Sequence, residues 1–278
     1  MPFVLGFVTD LHFGPLAYHE GKLRKLTHHA GELTRGVIRR MNEIAPDLLV
    51  NLGDDIEDEA RATDLARYEE CQAILRQTRS ELVNVAGNHD TIHMGREDLL
   101  AIWRAGGPRV ITPREDLLYW SFDRGGHHFV VLHTLEKKDV EVRIPPAQLS
   151  WLTADLAATS LPVIVLMHHS ASEQDLSDSQ WFRGLDHLAL VKERAELRTI
   201  LEASGKVRIV FNGHVHRNHV DVIGGIPYVT FQSLIENLDD DAPGRPAAAF
   251  AVARINERRI TVRVGGNDPA RYQFEGAR

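Results

Sequence analysis

Val207-Arg208-Ile209-Val210-Phe211-Asn212-Gly213-His214-Val215-His216 is a short apolar, β-branched run that breaks off into amide, glycine and two histidines. A run this short and this apolar reads as a strand buried on both faces. The same punctuation recurs upstream. Phe3–Val8 leads into Asp10-Leu11-His12, and Leu48–Asn51 leads into Gly53-Asp54-Asp55. Residues 82–85 lead into Gly87-Asn88-His89-Asp90, and 163–167 into His168-His169. Two further apolar runs, 129–132 and 226–231, complete the strand set. Between them lie segments of helical period: 32–44, stopped by Pro46; the charged stretch 59–79; Pro146–Ala158; and 188–203, ending at Ser204-Gly205. Strand–helix alternation predicts an α/β fold with a largely parallel sheet. Residues 248–255 and 259–264 read as a hairpin after an acidic, Pro-containing surface loop at 239–246. No repeat or linker divides the chain, so residues 1–278 are expected to form one domain.

In α/β sheets, sites form in the crevice outside the carboxyl ends of the strands. Parallel strands would therefore gather all five polar clusters at one edge. Their composition names the chemistry: imidazoles, carboxylates and an amide, with no thiolate, suit Mn, Fe, Zn, Co or Ni. Asp10-x-His12 and His214-x-His216 each place two side chains on the same side of an extended segment. Asp10, His12, Asp54, Asn88, His168, His214 and His216 are too many donors for one tetrahedral ion. They suit two ions about 3.5–4 Å apart sharing a carboxylate, the clamp used for in-line displacement at phosphorus. Glycines at 53, 87 and 213 allow tight turns that expose the residue that follows each of them.

Composition sets the bounds. With 278 residues, 43% of them apolar and 26% charged, the chain belongs with globular proteins and is long enough to bury a substantial core. A net charge of −7 argues against a nucleic-acid polymer or an anionic membrane surface as partner. The single cysteine, Cys71, excludes an internal disulfide framework and is expected to be inert core. No signal-like segment or membrane-length apolar stretch is visible, so a cytoplasmic location is expected. Fifteen histidines beside one thiol point any metal chemistry toward imidazole and carboxylate.

The ordered set DxH, GD, GNHD, HH and GHVH, spread over roughly residues 3 to 233, resembles the calcineurin-like metallophosphoesterase superfamily. That resemblance implies a four-layer αββα sandwich of two mixed sheets with a dinuclear metal site, of Mn, Fe or Zn, at one edge. It implies that Asp10, His12 and His216 hold one ion, that Asn88, His168 and His214 hold the second, and that Asp54 bridges. His89 would sit just outside as a phosphate contact or proton donor. The size, GNHD and GHVH look most like bacterial class III cyclic-nucleotide phosphodiesterases and glycerophosphodiesterases. Two features depart from those relatives: His168-His169 runs into Ser170-Ala171-Ser172 where proline is usual, and Asp55 stands at a normally apolar place. The implied reaction is hydrolysis of a small phosphodiester. The cations would lower the pKa of bound water toward 7, supplying hydroxide for in-line attack on phosphorus. A phosphomonoesterase of small metabolites is the alternative; a nuclease or a catalytically silent scaffold fits less well. The sequence is compatible with a homo-oligomer.

His169 is expected either to contact substrate or to line the pocket. His127, His128 and His133 are expected to be satisfied structural histidines, and His28, His29 and His93 surface residues. The acidic run from Asp54 to Glu59 is expected to be mostly a solvated helix start, with Asp54 its one catalytic member. Three long connections, at 13–30, 91–120 and 170–187, are where specificity is expected to reside. In the last of them, Trp181-Phe182-Arg183 reads either as a substrate-facing wall or as packing under the loop.

Overall fold

A computed structural model describes residues 2–239 and 241–275. The chain first lays down β1 (Phe3–Val8), α1 (Ala30–Ile44), β2 (Leu48–Asn51), α2 (Arg61–Leu75), β3 (Glu81–Asn84), α3 (Arg96–Arg104) and β4 (Val110–Ile111). It then builds β5 (Trp120–Arg124), β6 (His127–Val131), β7 (Leu135–Lys137), β8 (Glu141–Arg143), α4 (Pro146–Ala158) and β9 (Val163–Leu166). Next come α5 (Asp186–Ala189), α6 (Arg194–Ser204), β10 (Val207–Asn212), β11 (His219–Ile223) and β12 (Ile226–Thr230). Finally β13 (Phe250–Ile255), β14 (Arg259–Gly265) and β15 (Ala270–Glu275) return to the first sheet.

One sheet runs β15-β14-β13-β1-β2-β3-β4 and the other β11-β12-β10-β9-β6-β5, with β7-β8 a separate hairpin. β1 to β4 are mutually parallel, as are β6, β9, β10 and β12. The outer strands β13 to β15, β5 and β11 are antiparallel. Both sheets are therefore mixed.

Side-chain alternation explains the layering. Leu5 and Phe7 of β1 point between the sheets, where they meet Phe129, Ile164, Leu166 and Phe211 of the other sheet. Phe7 and Phe211 approach to 4.5 Å between ring centroids. Val8, Leu49 and Leu82 face outward onto Val37, Ile38, Met41, Tyr68 and Trp103 of α1, α2 and α3. Val130, Val165 and Val210 do the same against Leu149, Leu152, Leu197 and Leu201 of α4 and α6. The result is the four-layer αββα sandwich implied by the resemblance.

Some expected elements shift. The helix expected over 188–203 divides into α5 and α6. Leu190 and Val191 leave helical geometry to bridge Ser170 and Val142. The C-terminal hairpin gains a third strand, β15, whose residues alternate in exposure. Strands β5, β7, β8 and β11 also go beyond the apolar runs, being half-polar edges or hairpins.

Candidate metal centre

Five parallel strands, β1, β2, β3, β9 and β10, deliver their following residues to one edge of the sandwich. Local backbone there is not extended as the x-spaced pairs suggested. Asp10, His12, Asp54, His214 and His216 all have positive φ, between 43° and 68°, and make up five of the nine such non-glycine residues described. Left-handed backbone at a non-glycine residue costs of order 1–3 kcal/mol and clusters at functional sites. Here it turns both members of each pair toward a common point.

Glycine makes the convergence sterically possible. A Cβ on Gly87 would fall 2.1 Å from Asp54 Oδ1, and one on Gly213 would fall 2.0 Å from Thr9 Oγ1 and 2.5 Å from Asp10 Oδ2. Gly213→Ala is therefore expected to displace Asp10, costing about 1–3 kcal/mol of stability through overpacking and weakening metal retention. Melting temperature and metal analysis of the purified variant read both effects.

Two groups of donors emerge. In the first, His12 Nε2 and His216 Nε2 face each other at 3.1 Å, with Asp10 Oδ1 at 4.0 Å from the former and 3.4 Å from the latter. In the second, His168 Nε2 lies 3.1 Å from Asn88 Oδ1 and 3.2 Å from Asp54 Oδ2. Asp54 Oδ2 also lies 3.8 Å from His12 Nε2, so this carboxylate stands between the two groups. Asp10, Asp54 and His168 are fully or almost fully buried.

The far nitrogens of the four histidines explain how the near ones are aimed. His168 Nδ1 donates to the Leu52 carbonyl at 2.8 Å, and His214 Nε2 donates to the Leu188 carbonyl at 3.0 Å. His216 Nδ1 donates to Glu236 Oε2 at 2.7 Å, and His12 Nδ1 lies 3.0 Å from Glu57 Oε2. Fixing one imidazole nitrogen as donor turns the other's lone pair inward, which is how metal-binding histidines are oriented. His214 Nδ1 is buried with no hydrogen-bond partner. Lone pairs and carboxylates thus converge with few donors among them, an arrangement that demands positive charge.

The ionisation of the histidines reflects that demand. Burial pushes His168 down, but the Asp54 and Asp10 carboxylates outweigh it and lift the group to about 10. His216 is raised to about 9 against its burial by Asp10 and Glu236. Burial holds His12 down at about 4 and His214 at about 3. Asp10 and Asp54 are driven well below the usual carboxylate range: His216 outweighs the burial of Asp10, and His168 that of Asp54. The donor set fits a pair of cations in chemistry, burial and orientation.

Around this centre, His89 donates its backbone N–H to Asp54 Oδ1 at 3.0 Å and its ring Nδ1 contacts Asp58 Oδ1 at 2.5 Å. Its ring meets that of His12 edge-on at 4.8 Å. Burial would lower the His89 pKa, but the Asp54 and Asp58 carboxylates raise it. His89 lines an open cleft together with His12, Asp54, Asn88, His214 and His216.

His169 does not line that cleft. It is fully buried behind His214, with ring centroids 3.9 Å apart and Nδ1 on Thr134 Oγ1 at 2.7 Å. It therefore stands directly against the donor histidines His168 and His214, with its Nε2 buried and without a hydrogen-bond partner.

Several other expectations change. The acidic run is not a solvated helix start. α2 begins only at Arg61; Asp54 and Asp55 are buried, Glu57 reaches His12, and Asp58 holds His89. Asp90 accepts the backbone N–H groups of Asp54, Asp55 and Gly87 at 2.8–2.9 Å, pinning two of the ligand-bearing turns together. Glu236, in the loop well past the end of β12 and outside the strand-end clusters, carries His216. His127 and His128 are satisfied as expected. His133, however, has a buried Nδ1 without a partner and sits beside the centre at the end of β6. His28, His29 and His93 are all exposed as expected, and His93 also meets Asp64 at 2.8 Å. Cys71 is buried core, its thiol pushed well up by burial and the neighbouring Asp55, hence unreactive near neutrality. Trp181 and Phe182 line the cleft, whereas Arg183 is exposed.

Comparison with known proteins agrees with this architecture. A curated "Probable cyclic nucleotide phosphodiesterase" from Psychrobacter arcticus is 26% identical over 181 residues, 63% of this chain and 58% of the relative. A second, from Synechococcus sp., is 24% identical over 65% of this chain and 62% of its own length. The chain thus matches less than two thirds of these curated relatives. Among solved structures, a dimetal phosphatase from Danio rerio superposes with a TM-score of 0.79 over 99% of both chains at 16% identity. A purple acid phosphatase from yellow lupin superposes with a TM-score of 0.69 over all of this chain and 54% of its own, at 13% identity. The family model for calcineurin-like phosphoesterases matches residues 3–218. The chain belongs to the calcineurin-like phosphoesterase family.

Proposed function

We propose that this protein is a dinuclear metal-dependent hydrolase of small phosphodiesters, working as a single unit over residues 1–278. The observation that carries the reading is the position of Asp54, whose Oδ2 stands between a His12–His216–Asp10 group and a His168–Asn88 group. Asp10, His12 and His216 would hold one ion, Asn88, His168 and His214 the other, and Asp54 both. The ions, when bound, would supply Lewis-acid charge to the phosphoryl oxygens and lower the pKa of water enough to yield hydroxide near neutral pH.

The chain's own residues do the rest. Glu57, Glu236 and the Leu52 and Leu188 carbonyls keep the imidazoles in the tautomer that presents a lone pair inward. His89, held by Asp58, would give its proton to the departing alcohol oxygen, the step an unactivated diester most needs. Diester preference is further supported by the likeness to curated relatives described as probable cyclic nucleotide phosphodiesterases. Among the described residues no helix is long and apolar enough to cross a membrane.

Protein reconstituted with Mn, Fe or Zn is expected to hydrolyse bis(p-nitrophenyl) phosphate with a higher kcat/KM than p-nitrophenyl phosphate, and to lose activity to a chelator. The reverse preference would establish the monoesterase alternative, and activity that survives complete metal removal would overturn the mechanism.

A further inference from the structure

Lys25 belongs to the long connection between β1 and α1, and only 5% of the residue is exposed. It nevertheless lines the same cleft as His12, Asp54, Asn88 and His89. Its Nζ lies 2.9 Å and 3.2 Å from the two oxygens of Glu57 and 5.1 Å from the centroid of the Trp181 ring. Glu57 is itself shared with His12 Nδ1 at 3.0 Å. A buried ammonium is costly unless compensated, and its compensation here is half of one carboxylate and an indole face. Two of its three donors are occupied by Glu57, and the third finds no acceptor among the described residues.

We propose that Lys25 is a substrate-binding residue whose ammonium donates to a non-bridging oxygen of the phosphoryl group. This deepens the phosphodiesterase reading and rests on it. Attack by hydroxide turns a monoanionic diester into a transition state with a further negative charge spread over those oxygens. A cation fixed in the cleft wall opposes that charge without reorganising. The competing role is purely electrostatic balance: Lys25 would neutralise Glu57 and so keep His12 correctly held.

Lys25→Met and the double variant Lys25→Met/Glu57→Gln separate the two. Inorganic phosphate binding to metal-loaded protein is measured by calorimetry whether or not turnover is seen, alongside metal content, KM and kcat with bis(p-nitrophenyl) phosphate. Lys25→Met is expected to keep both metals while weakening phosphate about ten- to a hundredfold, the scale of one charge-assisted hydrogen bond. Neutralising Glu57 in the double variant should not restore the affinity, and Lys25→Arg, which keeps the charge, should retain most of it. Unchanged phosphate affinity in Lys25→Met, recovery in the double variant, or loss of metal from Lys25→Met would each assign Lys25 to charge balance and overturn the proposal. An inactive wild type would instead refute the phosphodiesterase reading, while the phosphate measurement still decides Lys25.

Discussion

Asp54→Asn is expected to cut kcat at least about a thousandfold and to leave the protein with no more than one tightly held metal per chain. The size follows from what the carboxylate does. Its Oδ2 stands between the two donor groups, 3.8 Å from His12 Nε2 and 3.2 Å from His168 Nε2. Removing it takes away several kcal/mol of shared charge stabilisation, at about 1.4 kcal/mol per tenfold in rate. Asparagine isolates charge from shape. Asp54 has φ +57°, a conformation asparagine tolerates far better than alanine, and its amide oxygen can still accept the His89 N–H that Asp54 Oδ1 accepts now. Asp54→Ala should be at least as inactive but adds backbone strain, so it confounds stability with chemistry. Metal analysis beside steady-state kinetics decides the matter. A folded Asp54→Asn with two metals and ordinary turnover would show that the carboxylate is not shared.

What the sequence disclosed about this centre, and what it did not, follows from where energy is legible in a chain. The apolar strands announce themselves because both their faces are buried: all four residues of β2 and all four of β9 are buried. Once such strands are placed in parallel, the residues that follow them must share an edge, so the sequence alone groups Asp10, Asp54, Asn88, His168 and His214. Edge strands lack this signature. In β15 exposure alternates residue by residue through Arg271, Gln273 and Glu275, and the segment reads as polar. The partners that orient the histidines are hidden for a different reason. Glu236 and the Leu52 carbonyl act through single hydrogen bonds and Glu57 through an ionic contact, all set by the turn geometry, and nothing in composition or period distinguishes Glu57 from an ordinary surface carboxylate. The pattern also misled in one respect. DxH and GHVH suggested extended pairs, whereas the ligand residues are held at positive φ, with Asp90 tying two of the turns together through three backbone N–H groups.

His89→Ala should retain both metals and lose about 10²–10⁴ in kcat, the usual contribution of a positioned proton donor. Its side chain touches Asp58 and His12 but belongs to neither inward donor group, so metal content separates its role from that of a ligand. The pH profile gives the sharper test. A proton donor works in its protonated form, so kcat should fall as pH rises through the His89 pKa. Asp58 helps raise that pKa against burial, and His89 in turn holds the Asp58 carboxyl below its usual value. Asp58→Asn removes one of the raising charges while leaving Asp54 in place, so the descending limb must move to lower pH. A merely structural Asp58 would lower the rate equally at every pH. The loss in His89→Ala should also shrink for substrates whose leaving group is a good one, because nitrophenolate departs with little need of a proton while an alkyl alkoxide does not. Comparing bis(p-nitrophenyl) phosphate with an alkyl diester in wild type and variant therefore reads proton donation directly. Equal losses on both substrates would relocate His89 from proton donor to phosphate contact.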